Sequence, residues 1–299
     1  MLSRSPLPSE NTSAKSTGIS MPQQWQRVVT LSLWISACNR PMHIIISLVE
    51  KMREDPDNMD WRKFPVLLPR THQMLQRLQE LSYAELKALW KCSDSIAERN
   101  AQCLAHISLV RGLSPAVLAY VGIQYQYMEP HAFTDCEFAY IEEHLHIVSG
   151  FFGLLHPLDR VAPYRLEMQA ELAAGNVANP YGFWGDAIAR QLYSETDCVL
   201  NLASRACSMC ISRHLSPSAC FITCVFGQLQ GGHVVKKGTL WKMARDEMVR
   251  YLVEYGICTP EGAKTFNRLG YCYGPALSCK DVYVFVPRKE AKGDGLFEF

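Results

Sequence analysis

The sequence predicts a mixed α/β fold, and three observations carry that prediction. Short apolar runs of strand length alternate with longer segments whose apolar residues recur at helical spacing. Two of the helical segments open with capping boxes, and the strand runs are bounded by Gly, Pro, Ser or Thr. The composition, 48% hydrophobic and 20% charged over 299 residues, is that of a globular protein. A chain of this length buries about three quarters of its unfolded surface, enough for one large core or two smaller ones.

In chain order, His43 to Ser47 reads as a short strand around Ile44, Ile45 and Ile46. Two helices follow. The second opens on Ser82-x-x-Glu85, a pair whose hydroxyl and carboxylate satisfy orphan backbone N–H groups, and Leu86, Leu89 and Trp90 then fall on one face. Ala116 to Val121 reads as a strand. Thr134-x-x-Glu137 is a second capping box and leads a helix to about His144; Ile147 and Val148 form a brief strand. Trp184 to Tyr193 reads as helix and Cys198 to Leu202 as a buried strand. Ala219 to Phe226 and His233 to Val235 are expected to pair through the Gly231-Gly232 turn. Thr239 to Tyr255 is the longest predicted helix, Pro260 suits a helix start after Thr259, and Val282 to Val286 is the last strand. The alternation lacks the regularity of a doubly wound sheet, and no internal repeat is present.

The ends differ from this body. Residues 1–41 read as an extension, disordered or targeting, with a Ser-, Pro- and Thr-rich start. Arg4, Lys15 and Arg27 stand there against Glu10 alone, which suits a mitochondrial presequence or an inert extension equally. Residues 42–288 form the predicted folded domain, and 289–299 a flexible tail. No stretch reaches the roughly 18 apolar residues of a membrane-spanning helix; Val28 to Cys38 is interrupted by Thr30, Ser32 and Ser36. The 12 cysteines are scattered and mostly lie in apolar runs, which points to a reducing compartment such as the cytoplasm. Thirty basic residues balance 29 acidic ones, so any contact with nucleic acid must come from a local patch.

The run from Leu145 through Ser149, Gly150, Gly153 and Pro157-Leu158-Asp159 to Pro163-Tyr164-Arg165-Leu166-Glu167-Met168 resembles the signature of the bacterial peroxide-stress YaaA family. Phe183-Trp184-Gly185-Asp186 matches that family's F-W-G-D, and Asn201-Leu202-Ala203-Ser204 its N-L-A-S. Ser93-Asp94 with Asn100, Lys242 with Arg245, and Phe266-Asn267 before Gly270-Tyr271 extend the likeness from about Met42 to Val286. The resemblance implies a single compact α/β domain with a mixed sheet flanked by helices, a positively charged cleft and a helix-hairpin-helix-like element. It implies a role in the response to hydroperoxide, through DNA binding and limitation of iron and peroxide damage, and brings neither an established reaction nor a cofactor.

Departures from the family pattern are as specific. The opening strand of the family ends in S-P-A-K, where this chain has Ser47-Leu48-Val49-Glu50. The F-K-G-D-V-Y segment becomes Tyr120 to Tyr125 and loses both charges, at Val121 and Ile123. The arginine before P-L-D is His156, and Asp246 follows Arg245 where the family has Gly.

Four groups of residues are candidates for chemistry. Asp159, Arg165, Glu167 and Asp186, with Tyr164, form the densest polar constellation; it reads either as a salt-bridge network or as a substrate or phosphate site in which carboxylates orient an arginine. Lys236, Lys237, Lys242, Arg245 and Arg250, assisted by Arg165, are candidates for neutralising DNA phosphates, against the alternative of a solvated helix face. Ser149-Gly150-x-x-Gly153 reads as a tight turn, since it lacks the Lys of a P-loop. Cys207-x-x-Cys210 and Cys220-x-x-x-Cys224, with His214 between them, have only a superficial likeness to zinc ligands or to a redox pair. No H-E-x-x-H or G-x-S-x-G is present, so no hydrolase is indicated. The first expectation is a non-enzymatic, DNA-binding stress protein. An enzyme acting on a nucleotide or nucleic acid through the Asp159 cluster, and a degenerate paralogue serving as a partner-binding surface, are the alternatives.

Overall fold

The computed structural model describes residues 40–49, 51–54, 63–172, 178–236 and 238–291. The predicted N-terminal extension (to residue 39), most of the predicted tail, Glu50 and Lys237 lie outside the described residues.

Seven strands form one mixed sheet: β1 (His43–Ser47), β3 (Leu145–Ser149), β4 (Gly153–Leu155), β6 (Cys198–Asn201), β7 (Cys220–Phe226), β10 (Tyr271–Tyr273) and β11 (Val282–Pro287). Two small antiparallel pairs lie outside it, β2 (Ser114–Pro115) with β5 (Arg160–Val161) and β8 (Gln228–Gln230) with β9 (His233–Val235). The order in the large sheet is β10-β11-β7-β6-β1-β3-β4. The inner five strands are parallel, and β4 and β10 close the edges antiparallel. All of β3 and β6 and the first four residues of β1 are buried, so helices cover both faces, as a parallel sheet requires.

Read along the chain, the parallel strands have the order 2-1-3-4-5 of a doubly wound sheet, reversing direction at β1. The sequence hides this regularity because the described part of the connection from β1 to β3 holds six α-helices: Leu68–Gln79, Tyr83–Trp90, Asp94–His106, Ala116–Ala119, Ile123–Met128 and Asp135–His144.

Local signals were reliable where the chemistry is local. Both capping boxes form, Ser82 with Glu85 and Thr134 with Glu137. Thr259 caps the Pro260–Ala263 helix by accepting from the Gly262 N–H. The Leu240–Glu254 helix is the longest among the described residues.

Three expectations fail. Ala116 to Val121 is no strand: Ala116–Ala119 is a helical turn buried on every side, and a short run apolar all round carries no period to separate helix from strand. Its first N–H groups donate to the carbonyls of Asp159 (2.9 Å) and Pro157 (2.8 Å), so the Pro157-Leu158-Asp159 loop caps it. The predicted helix from Trp184 breaks at Gly185, whose φ of +53° ends Pro180–Trp184 before Ala187–Glu195 begins. The Gly231-Gly232 hairpin forms, but it joins β8 to β9, while β7 pairs with β6 and β11 inside the sheet.

The signature motifs interlock. Trp184 is fully buried and its indole N–H donates to the Gly150 carbonyl at 2.8 Å. Ser149 Oγ accepts from the N–H groups of Phe151 (3.1 Å) and Phe152 (2.8 Å), which makes Ser149 to Gly153 a packed turn between β3 and β4. A Cβ on Gly150 would lie 2.7 Å from the Leu166 carbonyl oxygen, a backbone atom that cannot swing aside. Gly150→Ala is therefore expected to destabilise the domain by about 1–3 kcal/mol, measured by urea unfolding.

Candidate functional site

In open α/β sheets the crevice beyond the carboxyl ends of the strands, where the order reverses, is left uncovered because the flanking loops diverge. Here that place lies between β1 and β6. Ser47 ends β1, and its Oγ accepts the Ser204 N–H at 2.7 Å, tying the two loops together at their base. Asn201 holds the turn that follows β6, accepting from Ala203 N–H (3.0 Å) and donating to Thr223 Oγ1 (3.2 Å) on β7. Ser204 then caps the Arg205–Ser212 helix by accepting from the Cys207 N–H. The N-L-A-S motif thus delivers a helix N-terminus to the switch point.

A cleft of about 610 Å³ opens there, lined by Ser47, Lys51, Glu167, Ser204, Cys207, Trp241, Lys242 and Arg245 among others. Arg245 is its most unusual member. The side chain is 6% exposed and lies 4.5 Å from the Trp241 ring centroid, yet Nε and Nη1 have no hydrogen-bond partner among the described residues. Burial lowers its pKa from the ordinary arginine value, with neighbouring Asp246 opposing. Burial likewise holds the neighbouring Asp246 carboxyl well above the usual range, against the pull of Arg245. Lys236 Nζ and Lys242 Nζ sit 4.9 and 5.6 Å from the same indole. The Lys236 pKa is depressed by burial and then by Arg245 and Arg205, the mark of cations gathered more closely than they are compensated. An anion entering this cleft would meet buried guanidinium nitrogens, lysines and a helix N-terminus together.

The structure separates the sequence candidates. Lys242, Arg245 and Glu167 line the cleft, and Lys236 stands over Trp241 at its side. Arg250, from the same helix, is turned away: it pairs with Glu254 at 2.5 Å and lies over Phe133. Arg165 lines a different cavity of about 530 Å³ with Asn100 and Pro163, its carbonyl accepting from the Trp90 indole. Asp159 is buried and accepts from the His156 N–H at 2.9 Å, while Asp186 forms an exposed pair with Arg190. Tyr164 O–H bridges Ser149 Oγ (2.6 Å) and Tyr120 O–H (2.9 Å). Asp159 and Asp186 are thus held by different partners, and Glu167 and Arg165 line different cavities of those described. Among the cysteines, Cys220 faces Cys198 across β6 and β7, and Cys210 donates to the Cys207 carbonyl on its own helix. Burial raises the pKa of Cys207, Cys210 and Cys224 above the ordinary thiol value.

Lys51 escaped sequence reasoning. It follows Glu50, where the family cation is lost, and its side chain lines both cavities. The signal was one residue away from the position compared.

Comparison with known proteins places these features in a family. Residues 42–277 match the family described as peroxide stress protein YaaA. The chain is 44% identical to a UPF0246 protein of Agathobacter rectalis over 244 residues, covering 82% of this chain and 98% of that protein. It is 46% identical to a UPF0246 protein of Desulfitobacterium hafniense and 44% to one of Lachnoclostridium phytofermentans, again over 82% of this chain and 98% and 96% of theirs. With the match spanning six of the seven strands of the large sheet, from β1 to β10, this chain belongs to the peroxide stress protein YaaA family.

Proposed function

We propose that the chain serves in the cytoplasmic peroxide-stress response by binding the phosphates of DNA at the switch-point cleft. The observation that carries the reading is Arg245, a buried cation with two unpartnered guanidinium nitrogens at the cleft wall. Such nitrogens are costly to bury, and an incoming phosphate oxygen would offset that cost. Lys51 and Lys242 supply exposed charge at the same mouth, which suits an extended polyanion. The family description supports the stress role, and no membrane-spanning helix is present among the described residues.

The test is binding of the purified chain to short duplex and gapped DNA over a salt series. The logarithm of affinity should fall linearly with the logarithm of salt, by roughly 0.9 log units per tenfold rise in salt for each phosphate contacted. Lys242→Glu with Lys51→Glu should reduce that slope by about 2 and lower affinity uniformly across sequences. Absence of binding at low salt, or binding indifferent to both changes, would overturn the proposal. In a strain lacking the protein, peroxide sensitivity relieved by iron chelation is the matching expectation.

A nucleotide-processing reading draws on one observation, the 610 Å³ volume, which falls in the range of small-ligand sites. It predicts that a free nucleoside polyphosphate competes with DNA at equimolar phosphate, whereas a backbone-binding cleft favours the longer polyanion.

A further inference from the structure

At the opposite, amino-terminal ends of the strands lies a second cluster, which sequence reasoning missed because its members come from four separate segments. β1 and β3 pair with Ile45 beside His146, so His43 and His146 project from the same face. Their imidazoles stack with centroids 4.6 Å apart, and His156, just beyond β4, stands 4.7 Å from His146. Glu195, the last residue of the Ala187–Glu195 helix, places Oε2 3.0 Å from His146 Nε2 and 3.1 Å from His156 Nε2. His43 and His146 are 4% and 1% exposed, and Nδ1 of each has no hydrogen-bond partner among the described residues.

We propose that His43, His146 and Glu195 form a binding site for a divalent first-row transition-metal cation of the zinc(II), iron(II) or cobalt(II) kind. One ligand atom from each of the three lies within 4.8 Å of the other two. Metal–ligand bonds of about 2.0–2.2 Å place tetrahedral ligand atoms about 3.3–3.6 Å apart, so the three groups draw together when an ion binds. Two imidazoles and one carboxylate favour such an ion over magnesium or calcium, which take oxygen ligands. The Glu195 carboxylate accepts hydrogen bonds from both His146 and His156. His156 is in turn steadied by Asp159, 3.6 Å from Nδ1, so the ligating carboxylate has the outer hydrogen-bond support usual around metal sites. Side-chain exposures of 26% for Glu195 and 28% for His156 leave a path for an ion from solvent.

The test titrates the full-length apoprotein with cobalt(II) and with zinc(II). One cobalt per chain is expected, with visible ligand-field bands, no sulfur-to-metal charge-transfer band, and a concentration-dependent rise in Tm. Glu195→Gln, at a partly exposed position, should keep the fold and weaken cobalt binding at least about tenfold. His43→Gln and His146→Gln, each checked for native circular dichroism, should do the same. A sulfur charge-transfer band would assign the metal to the cysteines instead. That result, no stoichiometric binding, or binding untouched by Glu195→Gln would each overturn the proposal and leave the cluster a hydrogen-bond network only.

Discussion

Trp184→Ala is expected to cost the domain about 3–5 kcal/mol, the range for removing a large aromatic side chain from a packed core. The indole is fully buried, meets Phe183 edge-on at 5.0 Å and lies beneath the Arg70 guanidinium. It also fills the space beside Gly153, where an added Cβ would approach its ring to 3.0 Å. Its N–H donates to the Gly150 carbonyl, so truncation leaves a cavity and an unpaired buried acceptor at once. Trp184→Phe separates the two effects: it restores much of the volume but not the donor, and about 1–3 kcal/mol of the loss should remain. Urea unfolding monitored by circular dichroism checks both variants. A loss below about 1 kcal/mol for the alanine variant would contradict the packing described, since that is the scale of ordinary surface substitutions. Because Gly150 and Trp184 are held together by this bond, the S-G-x-x-G and F-W-G-D motifs act as one structural joint rather than as two sites.

That joint shows what a sequence makes legible. Capping boxes, the Ile44–Ile46 strand and the Thr259 cap were readable because each is decided by residues within a few positions of one another. Ala116–Ala119 was misread because its helical form is selected by the distant carbonyls of Pro157 and Asp159. The strand order was hidden by the long helical connection between Ser47 and Leu145, although the parallel core beneath it is regular. Sites followed the same division. Lys242 and Arg245 were visible as neighbours on one helix, and Arg250 was grouped with them by spacing alone. In the structure Glu254 and Glu137 hold Arg250 elsewhere. Arg245 read as a candidate for DNA phosphates or as part of a solvated helix face, yet packing of the Leu240–Glu254 helix against β7 and the Ile123–Met128 helix buries it. The histidine cluster was illegible because its register is set by β1–β3 pairing across about a hundred residues of chain.

Arg245→Met should show the opposite pattern to Trp184→Ala, with affinity lost and stability kept. A methionine of similar length can follow the same path past Trp241 without burying a charge, and replacing buried charges with apolar side chains is often neutral or stabilising. Burial already raises the pKa of the neighbouring Asp246 carboxyl, and removing Arg245 raises it further, which limits the charge left behind. Stability should therefore change by less than about 1 kcal/mol, or rise. The DNA affinity should fall at least about tenfold, and the salt slope should drop by about 1, as one phosphate contact disappears. Thermal unfolding and a salt series on the same preparation measure both quantities. A variant that lost several kcal/mol while still binding DNA would make Arg245 a packing residue and move the search for the phosphate site to the Arg165 cavity. If stability holds while binding is lost, a cation is kept buried and under-partnered at the switch point because the ligand, not the fold, completes its hydrogen bonds.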